Sequence, residues 1–183
     1  MPRLLNERII LYRIHAGDTN AFAAVYDAYS EGIYRFIYLK VPTVQDAEDL
    51  TAETFLKVWH HLKEDKKIKA LQAFLYQVAR NVVVDFYRRR GTVILESLDD
   101  HEVVIADRGD LTLEEKMALK DELATAEAAL RQLKDAYREV IVLHYLNELS
   151  LKEIGRIIGK SPGATRVLLH RALKAVKAIL AEP

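Results

Sequence analysis

Residues 150–177 read SLKEIGRIIGKSPGATRVLLHRALKAVK, from Ser150 to Lys177. Ser150 followed three residues on by Glu153 is a capping box, in which each side chain accepts the other residue's backbone N–H at a helix start. Leu151, Ile154 and Ile158 recur at helical spacing, and Gly159 stands where a left-handed residue ends such a helix. Ser161 then caps a second helix with Pro162 at its first position, and Thr165, Leu169, Ala172 and Val176 form its apolar stripe. Two helices joined by Gly159-Lys160-Ser161 must cross steeply. That is the layout of a DNA-binding helix-turn-helix, whose second helix offers its exposed face to the major groove.

The charges agree with this layout. Between Lys160 and Lys177 the charged residues are Lys160, Arg166, Arg171, Lys174 and Lys177, all basic, with His170 among them. A phosphate-tracking surface requires such one-signed charge. A helical hairpin with a solvated basic face would share the caps. Caps, turn length and one-signed charge together favour DNA.

Outward from this motif the chain reads as all-α. Long stretches rich in Ala, Leu, Glu, Lys and Arg favour helices, and strand-like alternation is scarce. A first helix is expected over Leu5–Ala16, and a second from the Asp18 cap to about Lys40, with Gly32 as a point of bending. A third, capped by Thr43, should end near Leu62, followed by a loop over Lys63–Lys69. A fourth runs from Ala70 to Arg90 and closes at Gly91. Between Leu95 and Glu122 ten acidic residues face only Arg108, Lys116 and Lys120, and the first half of this segment reads as a linker. Thr112 with Glu115 makes a capping box for a helix to about Leu130, and another follows over Leu133–Tyr145. Two small helical domains are expected, residues 1–91 and 112–183, joined by an acidic linker over 92–111.

Composition bounds the function. The 27 Lys and Arg balance 27 Asp and Glu, so a nucleic-acid site must come from local segregation of charge. No cysteine is present, which excludes disulfide scaffolds and thiolate metal sites and fits a reducing compartment, so a cytoplasmic location is expected. Arg3, Glu7, Arg8 and Arg13 interrupt the first twenty residues, so neither a signal peptide nor membrane insertion is expected. Nothing predicts an enzyme. His60-His61 with Glu64 lacks metalloprotease spacing, His15 and His144 stand alone, and no Gly-rich loop follows a strand. No cofactor or metal is expected.

In the N-terminal half, the run Asp46–Trp59 (DAEDLTAETFLKVW) sets Ala47, Leu50, Thr54 and Val58 near one helical face and leaves Asp46, Glu48, Asp49 and Glu53 mostly outside it. The following run, Phe74–Arg90 (FLYQVARNVVVDFYRRR), combines aromatic residues with Arg80, Asn81 and a terminal arginine cluster. Stacking surfaces beside cations suit single-stranded DNA. Equally, Phe74, Val78, Val82 and Phe86 can be core, with the arginines complementing the helix C-terminus.

With these motifs in this order, the chain resembles the sigma-70 family of bacterial transcription initiation factors, specifically its small extracytoplasmic-function group. The pattern of that group's second region runs from Phe22 to Arg90 and of its fourth from about Leu130 to Leu180. The resemblance implies that Asp46, Glu48, Asp49 and Glu53 dock on the clamp helices of core RNA polymerase. It implies minus-ten contacts by Lys63, Lys66, Lys67, Lys69, Gln77, Arg80, Asn81, Asp85 and Arg88. It implies minus-thirty-five duplex contacts by Lys160, Ser161, Arg166, His170, Arg171 and Lys174. Core polymerase and promoter DNA are the implied partners. An anti-sigma factor is a further implied partner, although no residue here identifies one. Ala52 departs from the Gln common in the family, and Val167-Leu168 from a frequent Ser-Arg pair. One customary phosphate contact is thereby lost, and apolar contact with a thymine methyl becomes available. The competing reading is a stand-alone helix-turn-helix regulator with a helical sensing or dimerisation domain. The run Asp46–Trp59 speaks against it.

Overall fold

The computed structural model describes residues 7–64, 68, 70–91 and 124–181. Among them there are helices and connecting turns and no strand. Helix α1 spans Glu7–His15, α2 Thr19–Tyr38, α3 Val44–Lys63 and α4 Leu71–Arg89. Then follow α5 over residues 124–132, α6 Asp135–Ile141, α7 Leu151–Ile158 and α8 Pro162–Ala181. The capping box expected at Thr112 and Glu115 lies outside the described residues.

The caps act where the side-chain chemistry places them. Asp18 accepts from the backbone N–H of Asn20 and Ala21 at the start of α2. Thr43 Oγ1 accepts from Asp46 N at 3.0 Å and donates to the Asp46 carboxylate at 2.7 Å, opening α3. The helix expected over Leu133–Tyr145 is shorter and changes form. After Ile141 the chain widens into a π-turn over Val142–Leu146, with Asn147 N donating to Val142 O five residues back at 3.0 Å. The fully buried Asn147 also donates from its side-chain amide to that carbonyl, at 3.3 Å.

Helices α2, α3 and α4 pack on one another, with α1 set against α2 and α3. In the C-terminal half α8 packs on α6 and α7. The two halves also touch, α4 against α7 and α2 against the π-turn. Buried side chains from both, among them Ile33, Phe36, Leu75 and Val82 on one side and Val140, Leu143 and Ile154 on the other, join one apolar cluster. Polar bonds align this seam. Across it Arg131 donates to Tyr38 O at 3.1 Å and Val41 O at 3.5 Å and Arg138 donates to Leu39 O at 2.8 Å, while within the N-terminal half Tyr87 Oη donates to Lys40 O at 2.6 Å. Four consecutive carbonyls at the end of α2 thus find donors, two of them guanidinium groups, which suit the negative end of a helix.

Candidate functional site

The C-terminal pair of helices forms as the sequence demands. Glu153 accepts from Ser150 N at 2.9 Å while Ser150 Oγ accepts from Glu153 N at 3.3 Å, and Gly159 ends α7 with φ +69°. Lys160 N donates to Gly155 O at 2.8 Å, folding the turn back over α7. Ser161 Oγ accepts from Ala164 N at 3.2 Å. Thr165, Leu169 and Ala172 bury one face of α8. Its other face leaves Lys160, Ser161, Arg166, His170, Arg171, Lys174 and Lys177 exposed. The whole predicted minus-thirty-five set therefore lies on the outer surface of this pair. Val167, 51% exposed, stands among the cations, one helical turn from Gly163 and Ala164 on one side and from His170 and Arg171 on the other.

On α3 the four predicted acidic residues divide in two. Asp46 and Glu53 are partly buried and engaged. Arg90 Nη2 lies 2.9 Å from Asp46 Oδ1, and Arg89 Nη2 3.3 Å from Glu53 Oε2. Hydrogen bonding from Lys57, 2.8 Å away, holds the Glu53 carboxyl below its ordinary range against partial burial, and Arg89 acts in the same direction. Glu48 and Asp49 are exposed, and among the described residues no ion pair is formed by either. Asp49 accepts a hydrogen bond from Gln45 at 3.2 Å. The terminal arginine cluster, read in the sequence as DNA-facing or dipole-compensating, is therefore tied largely to carboxylates. Arg88 pairs with Asp85 at 3.0 Å, and Arg89 and Arg90 flank a shallow groove with Asp46, Asp49, Leu50, Glu53 and Phe86.

The predicted minus-ten residues are spread further. Lys66, Lys67 and Lys69 lie outside the described residues. Lys63 sits over the Trp59 ring at 5.1 Å. On α4, Asn81 and Arg88 are exposed, on one stripe with the 41% exposed Val84, while Asp85 turns toward α3, 3.9 Å from Lys57. Gln77 and Arg80 are half-buried and bonded to the C-terminal half. Gln77 Nε2 donates to Arg156 O at 2.8 Å, and Arg80 Nε donates to Glu139 Oε1 at 3.1 Å. Glu139 also lies 3.8 Å from Lys40 Nζ, which is 2.5 Å from Asp135. Sequence reading missed Lys40, Arg131, Asp135, Arg138 and Glu139. For the last four the one local signal is the density of charge around the break at Leu133-Lys134, and Lys40 has none. Among the described residues no cluster of His, Asp or Glu could hold a metal. His61 lies with its ring 4.5 Å from Phe74.

A helical unit with an acidic edge on α3 stands beside a helix-turn-helix whose exposed charges are all basic, the charge pattern of a DNA-binding protein of transcription. Residues 25–93 match the family model described as Sigma-70 region 2, and residues 123–176 that described as Sigma-70, region 4. The chain is 30% identical to the ECF RNA polymerase sigma factor SigW of Bacillus subtilis, over 97% of both chains. It is 34% identical to the ECF RNA polymerase sigma factor BldN of Streptomyces coelicolor over 93% of its own length, spanning 64% of that protein. In fold it is similar to CnrH, solved with the cytosolic domain of CnrY, at TM-score 0.73 and 22% identity over 97% of this chain and 99% of that one. It is similar also to the sigma factor RpoE of Bartonella quintana, solved with the anti-sigma factor NepR, at TM-score 0.68 and 23% identity, over 88% and 98%. The chain belongs to the extracytoplasmic-function group of sigma-70 family RNA polymerase sigma factors. It is a promoter-recognising initiation factor, not an enzyme. No described helix is long and apolar enough to cross a membrane.

Proposed function

We propose that residues 1–91 dock core RNA polymerase and hold the melted minus-ten strand, that 92–111 link the halves, and that 112–183 read the minus-thirty-five duplex. The observation that carries this reading is the separation of charge over a neutral molecule. Glu48 and Asp49 are exposed on α3, and the outer face of α8 bears only cations. Asn81, Val84 and Arg88 offer an amide, an apolar surface and a cation along α4, a combination suited to unpaired bases and their phosphates. An anti-sigma factor is a further partner in this reading, supported by the complex of the Bartonella relative with NepR. The setting is the cytoplasm, where core polymerase is found.

Run-off transcription with bacterial core polymerase on a library of randomised promoter templates tests the reading. Discrete transcripts are expected only when core and this chain are both present. A chain that binds duplex but directs no transcript with core would be a stand-alone regulator.

Val167 should set part of the minus-thirty-five preference. An exposed aliphatic side chain in the major groove gains most against a thymine C5-methyl group. Val167→Ala is expected to weaken binding to the selected duplex by about 1 kcal/mol, roughly 5-fold. Replacing thymine by uracil at the contacted position should cost the parent protein the same factor and the variant nothing. Equal losses in both proteins would remove Val167 from that contact.

A further inference from the structure

We infer that part of the strand-capture face of the N-terminal half, at Gln77 and Arg80, is engaged in the free protein by its own C-terminal half, through an ionic latch of Lys40, Arg80, Asp135 and Glu139. The occlusion rests on reading Gln77 and Arg80 as strand contacts; the latch itself does not.

The Glu139 side chain is 4% exposed and the Lys40 side chain 5% exposed. A carboxylate and an ammonium so far from water must be paired. Here each is paired across the seam, Glu139 with Arg80 and Lys40, and Lys40 also with Asp135. Separation of the halves removes the partners of both buried groups, while Arg80 and Asp135, 40% and 34% exposed, already reach solvent in the closed form. Such a pair adds little net attraction, because lost hydration offsets most of the Coulomb gain, yet it strongly disfavours misaligned contact. The ion pairs therefore fix one arrangement of the seam. Around it the two arginine forks on the carbonyls of Tyr38, Leu39 and Val41 likewise add little net attraction, because water can replace them.

The closed form also competes with DNA for the same donors. Gln77 Nε2 donates to Arg156 O and Arg80 Nε to Glu139, so these donors must leave their partners before they can serve a base edge or a phosphate. The cations of α8 stay exposed. Closure thus takes donors from one DNA surface, at Gln77 and Arg80, and leaves Asn81, Val84 and Arg88 of that surface and the whole of the other exposed.

The absence of cysteine makes the test clean. Gln45→Cys, four residues from Val41, and Gln132→Cys, beside the Arg131 that bonds Val41 O at 3.5 Å, both at exposed positions, give the full chain two dye sites across the seam and no others. Single-molecule energy transfer on the free protein should show one dominant high-transfer population. Glu139→Gln strips two cations of their buried partner, and Asp135→Lys sets a like charge against Lys40. Each is expected to shift the closed-to-open ratio on the order of 100-fold, with helicity by circular dichroism unchanged. Binding of a 12-nucleotide oligo-dT probe should tighten by up to the same factor, because apparent affinity scales with the competent fraction. A parent protein that is already low-transfer, or a high-transfer state that survives both substitutions in folded protein, overturns the latch. Variants that open without gaining oligonucleotide affinity overturn the occlusion, and with it the role given to Gln77 and Arg80.

Discussion

Core RNA polymerase should bind the Asp49→Arg variant at least about 100-fold more weakly than the parent, a loss of roughly 3 kcal/mol, and the pair Glu48→Arg with Asp49→Arg more weakly still. The two carboxylates are exposed and unpaired among the described residues, so they are available to cations on a partner. Reversal replaces attraction by repulsion within an interface that excludes water, where the cost exceeds that of simple truncation. Exposure also predicts that folding stability moves by no more than about 0.5 kcal/mol. Asp46 is a poorer probe, because it helps to cap α3 through Thr43 and holds Arg90. Its removal would mix lost stability with lost docking. Titration of labelled full-length protein with core, beside urea unfolding, separates the two. Association unchanged in the double reversal would falsify the acidic contact.

The second large effect concerns the turn between α7 and α8. Gly155→Ala is expected to destabilise the C-terminal half by about 2–3 kcal/mol and to lower minus-thirty-five duplex affinity. A Cβ at Gly155 would sit 2.5 Å from Lys160 O and 3.2 Å from Thr165 Oγ1. The first neighbour is backbone and cannot swing away, and the turn it belongs to is pinned by the Lys160 N to Gly155 O bond. The clash is relieved only by lifting the turn off α7, which tilts α8 and moves its basic face. Gly163→Ala is the control. A Cβ there meets nothing within 4 Å, and in the first turn of a helix the exchange should be neutral or stabilising by up to about 1 kcal/mol. Equal unfolding midpoints for the two variants would contradict this account.

What was legible in the sequence was local. Ser150 with Glu153, Gly159, and Ser161 with Pro162 each act on neighbours within four residues, so spacing alone gave the helix limits and the outward face of α8. The apolar positions of α3 were legible for the same reason: Ala47, Leu50, Thr54 and Val58 are all buried. The ion pairs were not. Arg80 meets Glu139 at a separation of 59 residues, and Lys40 meets Asp135 at 95. Neither side chain carries a local mark that distinguishes a partner across the molecule from open solvent. The terminal arginines were ambiguous for a related reason, since a guanidinium at a helix end suits a phosphate, a carbonyl or a carboxylate alike. The change of helix type inside the expected Leu133–Tyr145 helix was not legible, because apolar periodicity does not register where a helix widens by one residue.

That widening makes the aim of the reading helix a matter of chain length. The π-turn over Val142–Leu146 accommodates one residue more than an α-helical turn, and the short connection of residues 147–150 leads from it to α7 and α8. Deleting a single residue there would let the backbone relax to ordinary helix, turning everything downstream by about 100° and drawing it in by about 1.5 Å. No side chain of α8 would change, yet its basic face would point elsewhere. In relatives whose lengths differ by one at this point, the same recognition residues would be presented to a different side of the duplex, so a frame-preserving codon loss could redirect promoter choice without altering a single contact residue.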